Sequence, residues 1–192
     1  MSLDNKPVII GITGPFGSGK STVSAYLEAK GFKKVVLSSY LEEEAKKRGK
    51  AKITRKLLQD IGNEWRGSYG RGVLAKKALE SLKKGKISLA VVDGVRNVGE
   101  IEYLKKKANF MLLGVIADRT VRFNRLKKLK RREDLTPELF FNLDCRDLGV
   151  NEGKTGLQVA LCIALSDYFV PNNEDKRKLE AKIDRIVKEL KV

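Results

Sequence analysis

A glycine-rich segment near the N-terminus carries the residues best suited to chemistry. It reads G-x-x-x-x-G-K-S over residues 14–21 and follows an apolar run over residues 8–13. The glycines let the backbone curl so that successive N–H groups point inward, and these groups can cradle a polyphosphate together with the N-terminus of the next helix. Lys20 can reach the β and γ phosphates, and the Ser21 hydroxyl can join the coordination shell of a magnesium ion.

The surroundings of this motif favour ATP binding over the alternative, a glycine-rich turn that binds nothing. An apolar strand precedes the motif, and Val23, Tyr26 and Leu27 follow at helical spacing, which is the context that such a loop requires. We expect the triphosphate to be bound by Gly14, Phe16, Gly17, Ser18, Gly19, Lys20, Ser21 and Thr22.

Asp93 is the second candidate position, because it ends a nearly all-apolar run over residues 88–93. A carboxylate at this strand end would face Ser21 and hold magnesium, usually through water, since this ion gives up its water reluctantly. The alternative is a turn cap, because Asp-Gly is common in turns. We assign Ser21 and Asp93 to a magnesium site.

Two arginines indicate where a second substrate would bind. Arg96 follows Asp93 closely, and a guanidinium at the mouth of the same cleft can bind an acceptor phosphate through two hydrogen bonds. Arg66 belongs to the polar group D-I-G-N-E-W-R, which we expect to form a wall of the acceptor pocket. The alternatives are a surface salt bridge for Arg96, and a helix kink at Gly62 beside a core Trp65.

Phosphoryl transfer depends on alignment and on cations around the transferred group. The candidate cations are Lys20, Arg125, Lys127, Lys128, Arg131, Arg132 and Arg146. The basic segment 127–134 lies between two predicted helices, and we expect it to be a lid whose closure excludes water. The alternative for each lid cation is a solvated helix face.

Composition excludes several kinds of chemistry. The chain has 192 residues, which fits one domain, and it contains two cysteines and no histidine. Zinc sites of cysteine and histidine, histidine bases and serine–histidine triads are therefore excluded. No apolar run approaches the ~20 residues that span a bilayer, and residues 1–5 do not resemble a signal peptide, so we expect a reducing cytoplasmic location and no membrane partner.

The net charge of +16 favours polyanionic partners. Nucleic acid is one such partner and a small phosphorylated substrate is another. The basic runs lack interleaved aromatic residues, so a platform for stacking single strands is not favoured. Charge and composition leave both a monomer and a homodimer open.

Apolar strands alternate with helical patterns along the chain. The predicted strands cover residues 8–13, 34–38, 88–93, 110–116 and 168–170. The predicted helices cover residues 20–30, 40–48, 53–66, 71–84, 101–107, 120–130 and 156–166, with two more capped by Thr136 and Asn173. This order predicts an α/β/α sandwich with a five-stranded parallel sheet and ligands at the carboxyl ends of its strands. Residues 40–85 would be a helical acceptor-binding insertion, and residues 127–146 the lid with its following helix.

These motifs together resemble the phosphate-loop (P-loop) nucleotide and nucleoside-phosphate kinases. G-P-F-G-S-G-K-S-T, V-V-D-G-V-R, V-I-A-D-R-T-V-R-F-N-R-L and D-C-R-D occur in the order found in adenylate-kinase-like enzymes. The resemblance implies that Arg125 lines the adenine and that Arg146 meets the transferred phosphate. A-L-S-D-Y-F-V-P-N-N is similar to the ending of dephospho-coenzyme A kinases, which places the backbone at Pro171 near the adenine.

A narrower likeness is to the kinase-like domain found alone or fused to deoxycytidylate deaminase-like domains. It is carried by L-Q-D-I-G-N-E-W-R, D-G-V-R-N-V-G-E-I-E and R-D-L-G-V-N-E-G-K-T-G-L-Q-V. This likeness implies a chemistry without naming a substrate.

One departure bears on the acceptor. Dephospho-coenzyme A kinases carry an aspartate base at the end of the second strand, where this sequence has Ser38 and Ser39. Serine is no base at neutral pH, whereas an acceptor phosphate is already ionised and needs none. We therefore predict ATP- and Mg²⁺-dependent phosphoryl transfer to a nucleotide or a related small phosphorylated acceptor held by Arg96, Arg66 and Ser39. The alternatives are dephospho-coenzyme A or a polynucleotide end as acceptor, and a nucleotide-binding sensor that turns over slowly.

Overall fold

The computed structural model describes residues 6–129 and 134–190 and contains one five-stranded, fully parallel sheet. Its strands are β1 (Val8–Thr13), β2 (Lys33–Val36), β3 (Leu89–Asp93), β4 (Asn109–Ile116) and β5 (Tyr168–Pro171). They lie in the order β2-β3-β1-β4-β5, so β1 is central and delivers the glycine-rich loop to the middle of the sheet edge. The predicted α/β fold is confirmed.

Nine helices are present in the described ranges. They are α1 (Lys20–Ala29), α2 (Leu37–Lys47), α3 (Arg55–Tyr69), α4 (Val73–Lys84), α5 (Val98–Lys107), α6 (Arg119–Leu129), α7 (Pro137–Leu148), α8 (Val159–Ala164) and α9 (Lys176–Glu189). None of these helices combines the length and the apolar character that crossing a bilayer requires.

The sheet separates two hydrophobic cores. Ile9 belongs to a core that includes residues of α2, α3, α4, α5 and α8, whereas its neighbour Ile10 belongs to a core with residues of α1 and α9 on the other face. Successive side chains of a strand point to opposite faces, so the near-continuous apolar run of β1 serves both layers. Because the two layers cover both faces of the sheet, we expect a ligand to bind at the strand ends.

A third, smaller apolar cluster lies over the glycine-rich loop. Phe16 of that loop packs with Leu135, Phe140 and Leu143, and Phe123 packs against the same group. This cluster attaches α6 and α7 to the loop. The predicted lid residues Arg131 and Arg132 lie outside the described residues.

Side-chain caps set several helix boundaries. Thr136 caps α7 as predicted, since its hydroxyl accepts a 3.1 Å hydrogen bond from the Leu139 amide. The predicted cap of the last helix was wrong: Asp175, not Asn173, accepts from the first turn of α9, whereas Asn173 accepts from the Asp118 amide. Asn97 begins α5 earlier than predicted, because it forms a reciprocal capping box with Glu100.

The end of β2 also differs from the prediction. The strand ends at Val36, and Leu37 already begins α2, so Ser38 and Ser39 belong to the first turn of a helix. This shift matters for the chemistry, because residues of the next turn of α2 then come near the strand ends. The segment before α8 is a loop rather than the start of a helix at residue 156.

Candidate active site

A cleft of about 1110 Å³ opens at the carboxyl ends of the strands. The glycine-rich loop and the start of α1 form its floor, and Asp93, Gly94 and Arg96 follow from the end of β3. One wall carries Ser38 and Glu42 of α2 with Arg55 of α3, and the other carries Arg125 of α6. The parallel sheet thus brings a phosphate loop and several charged side chains to one opening.

Glycine is required at two points of the loop. Gly14 has a φ of 143°, and a Cβ there would lie 2.0 Å from the Val115 carbonyl oxygen of β4. Gly19 has a φ of 100°, and a Cβ there would lie 2.2 Å from the side-chain nitrogen of Asn172. The loop is therefore held tightly between β4 and the residue that follows β5.

Lys20 is bonded to the loop itself. Its Nζ donates to the carbonyls of Gly14 and Pro15 at 2.6 and 2.9 Å, and the residue is buried. Burial and the charge of Arg96 lower the pKa of Lys20 to about 8, while Asp147 and Asp93 oppose that shift. Lys20 also lines the cleft.

Ser21 and Asp93 both line the cleft, as the magnesium assignment requires. Asp93 is buried, and its Oδ2 accepts a 2.7 Å hydrogen bond from Ser24 on α1. No group of three or more histidines, cysteines or carboxylates forms a metal cluster in the described part of the chain. One hydroxyl and one carboxylate suit magnesium that is bound mainly by phosphates and water, rather than an all-protein cage.

Asn172 and Arg125 shape the side of the cleft where the base is expected. The Nδ2 of Asn172 donates to the Ser18 carbonyl at 2.8 Å, and the backbone carbonyl of Asn172 accepts from Arg125 at 2.8 Å. Arg125 lines the cleft, whereas Pro171 is absent from the lining and its carbonyl accepts from Lys182. The sequence predicted that Pro171 would bind ATP, but the residue that contacts the glycine-rich loop is Asn172.

Arg122 is a positioning residue that sequence reasoning missed. It is buried, its Nη1 donates to the Phe16 carbonyl at 2.9 Å, and it forms a two-fold ion pair with Asp144 of α7. It therefore links α6 and α7 to the phosphate loop. Among many exposed cations of this basic segment, nothing in the sequence distinguishes it.

Arg96 lies in the cleft as predicted, and it has two neighbours that were not predicted. Its Nε is 3.7 Å from Oδ1 of Asp147, and the Nη1 of Arg55 is 3.9 Å from the same oxygen. The Arg55 guanidinium also lies 3.5 Å above the ring of Phe16. A local signal for Asp147 was present in D-C-R-D, where only the arginine had been singled out.

Arg66 does not lie in the cleft, which differs from the expected acceptor wall. It is buried, its Nε lies 3.1 Å from Glu100, and Trp65 beside it packs in the core. The other oxygen of Glu100 accepts from the Arg96 amide at 2.7 Å. Arg66 thus supports the backbone at Arg96 through Glu100.

Arg146 and Ser39 are also engaged elsewhere. Arg146 lies 2.6 Å from both Asp60 and Glu152, so it joins α7 to α3 and to the loop before α8. Ser39 donates to the Val36 carbonyl at 2.7 Å inside the first turn of α2. Neither side chain lines the cleft, whereas Ser38 and Glu42 of the same helix do.

With this geometry in place, comparison with known proteins identifies the family. A sequence model of the AAA domain family, AAA_18, matches residues 10–149. The chain therefore belongs to this family of P-loop NTPases. A UPF0200 protein from Sulfurisphaera tokodaii is 33% identical over 183 residues, which cover 95% of this chain and 97% of the relative.

Solved structures show the same fold. TT1252 from Thermus thermophilus matches with a TM-score of 0.59 and 21% identity over 96% of this chain and 98% of its own. Shikimate kinase from Acinetobacter baumannii, in complex with shikimate, matches with a TM-score of 0.59 and 18% identity over 97% of this chain and 96% of its own. At these identities the likeness establishes the P-loop kinase-like fold, and the narrower resemblance to deaminase-linked domains stays a prediction.

Proposed function

We propose that this protein is an ATP- and magnesium-dependent kinase that phosphorylates a nucleotide or a related small phosphorylated acceptor. One observation carries the proposal: the phosphate loop and the Arg55–Arg96 pair open into the same cleft. A polyphosphate site and a second anion site would then share one cleft. That arrangement suits transfer of a phosphoryl group between two anionic substrates.

The phosphate loop accounts for the donor half of the reaction. The triphosphate replaces the Gly14 and Pro15 carbonyls as the partner of Lys20, whose charge then stabilises the β and γ oxygens. Ser21 and Asp93 would hold magnesium, which supplies charge neutralisation on the phosphates when bound. Arg125, fixed by the Asn172 carbonyl, lies at the base side of the same cleft.

The acceptor half rests on Arg96, with Arg55 beside it. An acceptor phosphate bound there directs one of its oxygens toward the γ phosphorus. This oxygen forms the new bond while the bond to the β,γ-bridging oxygen breaks, and ADP leaves. No base is needed, because the attacking oxygen is already ionised.

A second candidate is a kinase whose acceptor attacks through a hydroxyl. Glu42 favours it, because this carboxylate lines the cleft one turn of α2 after Ser38. The hydroxyl proton would pass to Glu42 as its oxygen attacks the γ phosphorus. The sequence predicted no base here because the second strand was expected to run to Ser38. Since α2 instead begins at Leu37, Glu42 lies on the second turn of this helix.

A coupled ADP-release assay decides between these functions. The acceptors are all nucleoside and deoxynucleoside monophosphates, dephospho-coenzyme A and shikimate, with and without the Glu42→Gln substitution. We expect a monophosphate to be the best acceptor and Glu42→Gln to leave its turnover within about twofold, the usual effect at an independent position. Loss of activity in Glu42→Gln with a hydroxyl acceptor would select the second candidate. Tight nucleotide binding without any turnover would instead select a sensor.

A further inference from the structure

Asp147, at the C-terminal end of α7, is in an unusual environment for a carboxylate. It is completely buried, and neither of its oxygens accepts a hydrogen bond from the described residues. A buried carboxylate without such bonds is costly unless opposite charges compensate it. Here the compensation comes from Arg55 and Arg96, which approach the same oxygen, Oδ1, from two different elements.

Both contacts are ion pairs rather than hydrogen bonds. At 3.7 Å for Arg96 and 3.9 Å for Arg55, the nitrogens stay outside hydrogen-bonding distance of Asp147. The Nε of Arg96 is buried and makes no hydrogen bond within the described ranges. Asp147 therefore places Arg96 by charge and leaves the guanidinium free to bind an anion on its cleft side.

The carboxylate also lets two like charges share one site. Two guanidinium groups near the same oxygen repel each other, and the buried negative charge of Asp147 offsets the energy of that repulsion. Counted by themselves, the two guanidiniums and the one carboxylate carry a net charge of +1. A phosphate monoester matches that charge and offers oxygens to both arginines.

We propose that Asp147 is the positioning residue of a two-arginine anion site, in which Arg55 and Arg96 together bind the phosphate of the acceptor. This inference rests on the proposed kinase function, and it deepens that function by assigning a dianionic group to the acceptor. It also makes an unusual prediction. Removing a negative charge from the site weakens anion binding, although simple charge counting predicts that binding becomes tighter.

The first test is the substitution Asp147→Asn, which keeps the shape and removes the charge. The acceptor KM should rise by about tenfold, the value of one charge-assisted hydrogen bond, while the Kd of MgADP stays within about twofold. In an Arg55→Ala/Arg96→Ala background the same substitution should have no further effect on KM. Glu64→Gln, which neutralises an exposed carboxylate of α3 paired with Arg48, controls for net charge.

The second test does not require turnover. Inorganic phosphate is titrated by calorimetry into the protein saturated with MgADP, and thermal melting checks that each variant is folded. Asp147→Asn should bind phosphate more weakly than the wild type and Glu64→Gln equally well. This result supports the anion site even if no acceptor is ever phosphorylated, in which case only the kinase function fails.

Three results would overturn the inference. In the first, Asp147→Asn binds phosphate as tightly as the wild type or more tightly. In the second, the wild type does not bind phosphate in the presence of MgADP. In the third, Asp147→Asn raises the acceptor KM as much in the Arg55→Ala/Arg96→Ala background as in the wild type. Should Asp147→Asn not fold, Asp147→Glu replaces it, since it keeps the charge and moves it by one methylene. Unchanged phosphate affinity in that variant also contradicts positioning by Asp147.

Discussion

The side-chain amide of Asn172 donates a 2.8 Å hydrogen bond to the carbonyl of Ser18, and so joins the end of β5 to the middle of the phosphate loop. A Cβ at the neighbouring Gly19 would lie 2.2 Å from the same amide nitrogen, so the contact is close as well as polar. The backbone carbonyl of Asn172 also accepts a 2.8 Å hydrogen bond from Arg125, so this residue contacts both the loop and a side chain that lines the cleft.

Asn172→Ala should therefore weaken both ATP binding and the fold. The buried Ser18 carbonyl would lose its partner, which costs about 1–3 kcal/mol of unfolding free energy. Urea unfolding and calorimetric titration of MgATP measure the two effects. Asn173→Ala is the matched control, because this asparagine bonds to the exposed amide of Asp118. Equal effects of the two substitutions would contradict the assigned role of Asn172.

Lys20→Ala should remove catalysis and preserve the fold. We expect a loss of about 2–4 kcal/mol of transition-state stabilisation, the usual contribution of one electrostatic group in an active site. Among the described residues, this side chain donates its hydrogen bonds to two carbonyls of its own loop, so thermal melting should change little. Lys83→Ala, in the last turn of α4, is the control for loss of a lysine. Normal turnover in Lys20→Ala would contradict the phosphate-loop assignment.

Magnesium dependence should be complete. Activity should disappear when a chelator is added and return with magnesium or manganese, because Ser21 and Asp93 offer only hard oxygen ligands. Asp93→Asn keeps an oxygen for the Ser24 hydrogen bond and removes the charge. It should weaken binding of MgATP and leave binding of metal-free ATP unchanged, as measured by calorimetry. Full activity in chelator would exclude both residues from a metal site.

Arg66→Ala should destabilise the protein rather than impair acceptor binding directly. Its partner Glu100 is fully buried, and leaving a buried charge without its partner costs about 3–5 kcal/mol. Arg48→Ala, which breaks an exposed pair with Glu44 and Glu64, should cost far less stability, because solvent screens exposed ion pairs. Chemical denaturation measures the free energy of unfolding of both variants and of the wild type. Similar losses of stability would contradict the special role of the buried pair.

Arg96→Ala should raise the acceptor KM and leave ATP binding nearly intact. In the proposed function the guanidinium binds the acceptor, so its loss would remove a contact made equally in the ground and transition states. Steady-state kinetics at low salt and near 0.15 M salt separate this local contact from long-range attraction, which is screened beyond ~8 Å. A selective loss of ATP affinity would instead place Arg96 on the donor side.

Local patterns were enough for the phosphate loop and for the layered fold. The loop over Gly14–Ser21 could be recognised from its own residues, because its glycines supply the unusual dihedral angles and Lys20 bonds to carbonyls of the same loop. Thr136 could be identified as a cap for the same reason, since its partner lies three residues away. The apolar strands and amphipathic helices likewise carry their periodicity within short windows.

The roles of the arginines could not be predicted in this way, because their partners are distant in the chain. Arg55 and Arg66 both belong to α3, yet one faces the cleft and the other pairs with Glu100 of α5. Arg146 and Asp147 are neighbours on α7, and a helix turns by about 100° per residue, so they point to different surroundings. Arg146 meets Asp60 and Glu152, whereas Asp147 meets Arg55 and Arg96. Helix orientation in the packed layers determines which of two adjacent charges reaches the cleft.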